Sequence, residues 1–150
     1  MLLQRLEQVA SSATPQALSN ALWAAAKAEP EGSSQLGDVV AQLLARTISS
    51  TPLATPQAVS NTLYALALLP RAWPMDSALQ LVERLVQLLP AADPQAVANA
   101  LWALGQYVER GWLARLYAQP CAPLQAAVTG FAGALAASSQ VVKPMEASNS

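Results

Sequence analysis

Three stretches of this chain open alike. Thr14-Pro15-Gln16-Ala17, Thr55-Pro56-Gln57-Ala58 and Asp93-Pro94-Gln95-Ala96 each lead into an Asn, a Leu, an aromatic residue and an Ala. These are Asn20, Leu22, Trp23 and Ala24; then Asn61, Leu63, Tyr64 and Ala65; then Asn99, Leu101, Trp102 and Ala103. Pro15 and Pro56 stand 41 positions apart, and Pro56 and Pro94 stand 38 apart. A period of this size constrains the fold more than any other property of the chain, because it is the length of one stacking unit in a repeat protein.

Each opening is a helix start. Thr14, Thr55 and Asp93 suit the N-cap, where a side-chain oxygen accepts from a free N–H of the first turn. Pro15, Pro56 and Pro94 follow at the first helical position, where a missing N–H costs nothing and φ is already helical. The resulting helix A ends near Pro30 in the first copy and near Pro70 in the second; in the third, Gly105 is expected to weaken it.

A second helix, B, follows. Leu36, Val39, Val40, Leu43 and Leu44 recur at helical spacing with Ser34 as a cap; Leu79, Val82, Leu85, Val86 and Leu89 do so with Asp76 or Ser77 as a cap. Residues 2–11 read as a B helix without its A partner, so the chain reads as a segment of a longer protein. Leu113, Leu116 and Tyr117 indicate a short further helix, and Leu124 to Leu135 a last one.

The fold class that follows is all-α: an α-solenoid of stacked antiparallel helix pairs, about three repeats plus a degenerate end. Its repeat domain spans residues 1–137, with units at 2–11 (half a repeat), 14–49, 55–89, 93–118 and a degenerate 122–137. Residues 138–150 read as a disordered tail. A helix pair cannot bury its apolar faces alone, and stacked neighbours can.

Composition agrees and narrows the function. The 150 residues are 53% hydrophobic and 11% charged, too apolar for a disordered chain. The apolar runs are broken by Pro30, Pro70 and Pro90 or carry Glu83 and Arg84, so none has the length of a membrane span. The start, Met1 to Arg5, lacks the basic head and long apolar run of a secretory signal, and no transit peptide is visible. Cys121 is the single cysteine and there is no histidine. A paired-cysteine site, an imidazole base and a Cys/His metal set are thereby excluded from the sequence, and no glycine-rich phosphate loop occurs. The chain is not expected to be an enzyme or to bind a cofactor, a metal or a small-molecule substrate. A net charge of −1 gives no bulk attraction to nucleic acid.

Helix A carries two stripes. Leu18, Leu22 and Ala25, repeated by Leu63/Leu66 and Leu101/Leu104, are expected to pack on helix B. The other stripe holds Gln16, Asn20, Trp23 and Lys27; then Gln57, Asn61, Tyr64 and Leu68; then Gln95, Asn99, Trp102 and Gln106. Two accounts fit it. As a binding surface, the amides would pair with base edges or peptide backbone, and the aromatics would stack on bases. As a structural seam, the Asn would bond a neighbour and the aromatics would fill the space between units. Identity across copies favours the seam, since one residue shared by all copies cannot read different bases. Arg5, Arg46 and Arg84 each stand ten residues before the proline of helix A. They could meet successive phosphates, or be ordinary solvated side chains.

The motif Pro-Gln-Ala-(Leu/Val)-(Ser/Ala)-Asn-x-Leu-(Trp/Tyr)-Ala, with a period near 38, resembles the octotricopeptide repeats of green-algal proteins. It also resembles the related heptatricopeptide-type repeats that precede an RAP domain. The resemblance covers about residues 2 to 110. It implies an α-solenoid that binds single-stranded RNA in the chloroplast or another organelle and acts in transcript processing, stability or translation. The alternative reading of the same residues is a solenoid that binds a protein or peptide and no nucleic acid.

Overall fold

The computed structural model describes residues 12–28, 34–69 and 73–111, together with Arg5, Gln8 and residues 129, 130, 132 and 133. The described residues are helical and contain no strand. Among the described residues, five α-helices have both ends placed, in order α1 (Pro15–Ala28), α2 (Ser34–Ser50), α3 (Pro56–Leu68), α4 (Met75–Leu88) and α5 (Pro94–Glu109). Short 3-10 turns, Thr51–Leu53 and Leu89–Ala91, each with a proline at its second position, end the B helices and lead into the next A helix. Of the outer segments, Arg5, Gln8 and Ser12 are helical, as are residues 129, 130, 132 and 133. The rest of 2–11, residues 112–128 with the short helix expected there, and the tail 138–150 lie outside the described residues.

The three A helices start as their chemistry dictates. The N–H of Ala17 donates to Thr14 Oγ1 at 3.2 Å, that of Ala58 to Thr55 Oγ1 at 3.2 Å, and that of Ala96 to Asp93 Oδ1 at 2.7 Å. Each cap satisfies a donor the first turn leaves free.

Two local expectations are corrected. Helix α4 begins at Met75 behind Pro74, with no side-chain cap; neither Asp76 nor Ser77 serves as one. The first turn is closed by the Pro74 carbonyl, which accepts from Ser77 and Ala78. Ser34 is the first described residue of α2, and the residues before it lie outside the described ones. Helix α5 runs through Gly105 to Glu109 and stops at Gly111, whose φ of 70° is the left-handed conformation that ends helices. One interior glycine costs about 1 kcal/mol, and contacts beyond it hold the helix.

Those contacts also show how the units stack. Tyr107 donates its hydroxyl to the carbonyl of Leu63 in α3 at 2.5 Å, and Arg110 donates to the carbonyl of Leu69 at the end of α3 at 2.8 Å. The A helices lie side by side, α1 and α5 flanking α3, while α2 packs on α1 and α4 on α3. Helix α3 is therefore enclosed: ten of its residues, Ala58 through Ala67, are buried. The B helices bury Val40, Leu43, Leu44 and Thr47 from α2, and Ala78, Leu81, Val82 and Leu85 from α4. Leu79 and Val86 are only half-buried, so the core face of α4 is turned slightly from the expected stripe.

Burial compared across the copies separates two opposite faces of helix A. Ala17, Asn20, Ala24 and Ala28 of the first copy are exposed. Their counterparts Ala58, Asn61, Ala65 and Leu69, and Ala96, Asn99, Ala103 and Tyr107, are all buried. The reverse holds on the other side. Ser19, Leu22 and Ala26, and Ser60, Leu63 and Ala67, are buried, whereas Ala98 and Leu101 are half-buried and Gly105 is exposed. Tyr107 of the first set reaches Leu63 of the second. The first set is the rear face, turned to the preceding A helix, and the second is the forward face, turned to the next. Small residues on these faces let the helices approach closely. The buried hydroxyls among them bond their own helix: Ser19 to the Gln16 carbonyl at 2.9 Å, Ser60 to that of Gln57 at 3.1 Å, and Thr62 to that of Ala58 at 2.8 Å.

Candidate functional site

The stripe of amides and aromatics divides between surface and seam. Its Asn position lies at the edge of the rear face. Asn20 is exposed, while Asn61 and Asn99 retain 5% and 2% of their surface. In the first and third copies, Gln Nε2 donates one turn along to Asn Oδ1: Gln16 to Asn20 at 3.1 Å and Gln95 to Asn99 at 3.0 Å. The middle copy departs from this. Gln57 is exposed, and Asn61 Oδ1 is buried without a hydrogen-bond partner among the described residues.

The aromatic position follows the same gradient. Tyr64 is fully buried, with its ring centroid 4.7 Å from that of Trp102 and the planes tilted by 32°. This separation is that of a stabilising aromatic pair. Trp102 and Trp23 are half-buried and pack on the core. The Trp23 Nε1 is buried without a partner among the described residues, and Lys27 Nζ stands 5.7 Å from the centroid of its ring, within cation–π range. At the last stripe position Lys27 is exposed, Leu68 is half-buried and Gln106 donates to Glu109 Oε2 at 3.3 Å.

The three arginines at matching positions do not share surroundings. Arg5 and Arg46 are exposed. Arg84 is half-buried and clamped: its Nη2 donates to the Pro52 carbonyl at 2.9 Å and its Nη1 to Gln87 Oε1 at 3.2 Å. Arg84 and Arg110 thus do one job. Each carries its cation to a carbonyl at the end of a helix in the preceding unit, where the helix dipole and unpaired carbonyls favour positive charge. Beside Arg110, burial holds the Tyr107 phenol far above its usual range, so it remains a hydrogen-bond donor.

A groove that the repeat motif does not mark lies where α2 and α4 diverge. Ile48, Ser49, Thr51 and Pro52 form one wall, and Gln80, Glu83, Arg84 and Gln87 the other, around about 330 Å³. The α4 wall is a polar face at helical spacing, and that period in the sequence was the signal available to find it. Leu53, 81% exposed, stands beside it on the 3-10 turn. Gln80, Glu83 and Gln87 are exposed. Among the described residues no His, Cys, Asp and Glu cluster could hold a metal ion, and no helix is long and apolar enough to cross a membrane. Comparison with known protein families, curated proteins and solved structures found no match.

Proposed function

We propose that this chain is a helical-repeat scaffold that binds an extended segment of another protein. The observation that carries this reading is the groove between α2 and α4. Its exposed walls offer two amide side chains, Gln80 and Gln87, with a carboxylate, Glu83, between them. An extended peptide presents alternating N–H and C=O groups, which amides can match as donors and acceptors. Leu53 adds an exposed apolar contact at the rim. The Arg84 cation is committed to Pro52, leaving Glu83 as the exposed charge on the α4 wall. That wall repels phosphate and accepts from peptide N–H groups or a basic side chain.

Single-stranded RNA is the second reading, as the octotricopeptide resemblance implies. It is favoured by the α1 end of the stripe, where Gln16, Asn20 and Lys27 surround the half-buried Trp23. Its support is narrower, because in the next two copies the Asn is buried, and the Tyr64 and Trp102 rings are engaged with each other.

Both readings meet one experiment. A display library of unstructured peptides and a set of fluorescent single-stranded RNA oligomers are tested on the full chain, and Gln80→Ala/Gln87→Ala is compared with Lys27→Ala. The scaffold reading expects selected peptides whose affinity falls at least tenfold in the double variant and is unchanged by Lys27→Ala. RNA binding that weakens steeply with salt, is lost in Lys27→Ala and is indifferent to the groove variant would overturn it.

A further inference from the structure

The two walls of the groove between α2 and α4 differ in chemistry. On the α2 side Ile48 is half-buried, Pro52 is exposed, and Leu53 stands at the rim. The hydroxyls of that wall are turned back into α2, Ser49 to the Ala45 carbonyl at 2.9 Å and Thr51 to that of Thr47 at 3.0 Å. It therefore meets a ligand as an apolar wall. The α4 wall is polar, with Gln80, Glu83 and Gln87 exposed one turn apart. Arg84, the cation next to Glu83, is turned to the Pro52 carbonyl and to Gln87 Oε1. The Glu83 carboxylate is left as the charged acceptor of the groove.

We propose that the segment bound here carries a lysine or arginine, its charged head on Glu83 and its aliphatic stem against Ile48 and Pro52. This rests on the peptide-binding reading of the groove and specifies the peptide. Long basic side chains lay their methylene stems on apolar surface and keep the head in polar surroundings. An apolar wall facing a carboxylate matches both parts. A neutral polar residue would use only the amides, an apolar one only the α2 wall, and an acidic one would meet like charge. Because Arg84 reaches Pro52, the turn carrying Leu53 stands level with Glu83. An apolar neighbour of the basic residue then meets Leu53. Helical rise from Gln80 to Gln87 is roughly 10 Å, which matches about three residues of extended peptide.

Peptides selected on the full chain from an unstructured library test this. They are expected to be enriched in Lys or Arg beside an apolar residue. Replacing that basic residue by Gln, or Glu83→Gln in the protein, should weaken binding about three- to fivefold, the size of an exposed ion pair. The two changes together should weaken it no further. Glu83→Lys should bind the same peptide about tenfold more weakly, through like-charge contact. It should also bind a peptide with Glu in place of the basic residue better than wild type does, a gain that an unfolded variant cannot show. Glu83 is exposed, so both variants should keep wild-type helical content. Peptides that lose affinity with Gln80→Ala/Gln87→Ala but show no basic preference overturn this inference and leave the peptide reading standing. Failure to select any groove-dependent peptide overturns both.

Discussion

Asn20, Asn61 and Asn99 occupy one position in three nearly identical helices, and their energetic roles differ. Asn99 is buried and accepts from Gln95; Asn61 is buried, its Oδ1 without a partner among the described residues; Asn20 is exposed. Removing a buried, bonded amide forfeits the bond and leaves its partner unsatisfied, about 1–3 kcal/mol. Removing Asn61 also relieves the cost of an unpaired buried oxygen. Urea denaturation should therefore rank Asn99→Ala as the most destabilising, Asn61→Ala next, and Asn20→Ala within about 0.5 kcal/mol of wild type. Equal losses at Asn20 and Asn99 would mean that burial between A helices is not what gives this residue its role.

At the scale of elements, the A-helix starts and the end of α3 beside Pro70 were legible, and the cap of α4 and the end of α5 were not. Thr14, Thr55 and Asp93 with their prolines define a start by chemistry confined to one turn. The end of α5 depends on Tyr107 and Arg110 reaching carbonyls 44 and 41 positions away, which no local pattern reports. The clamp of Arg84 on Pro52 spans 32 positions and was hidden for the same reason. Gly105 carries a testable consequence. It is helical, exposed and has open space around it, so Gly105→Ala should stabilise the chain by about 0.5–1 kcal/mol. Thermal melting checks this, and a lower melting temperature would show that the position needs glycine.

For the whole molecule, the repeat predicted the helix-pair architecture, and neighbours decided what each repeated residue does. Copies that match in sequence cannot announce which of their faces is covered; that follows from place in the stack. The stripe was therefore visible in the sequence, while its division into the exposed Asn20 and the buried Asn61 and Asn99 was not. The groove went unmarked because its walls come from α2 and α4, outside the repeated motif. Ala24, Ala65 and Ala103 test the stacking most directly, being the same residue in the same helical context at three places in the stack. Ala24 is exposed, and Ala65 and Ala103 are fully buried. Replacing each by Leu and measuring unfolding free energy should leave Ala24→Leu within about 0.5 kcal/mol of wild type. Ala65→Leu and Ala103→Leu should each lose roughly 1–3 kcal/mol by overpacking the helix contact. Three equal effects would contradict the stack.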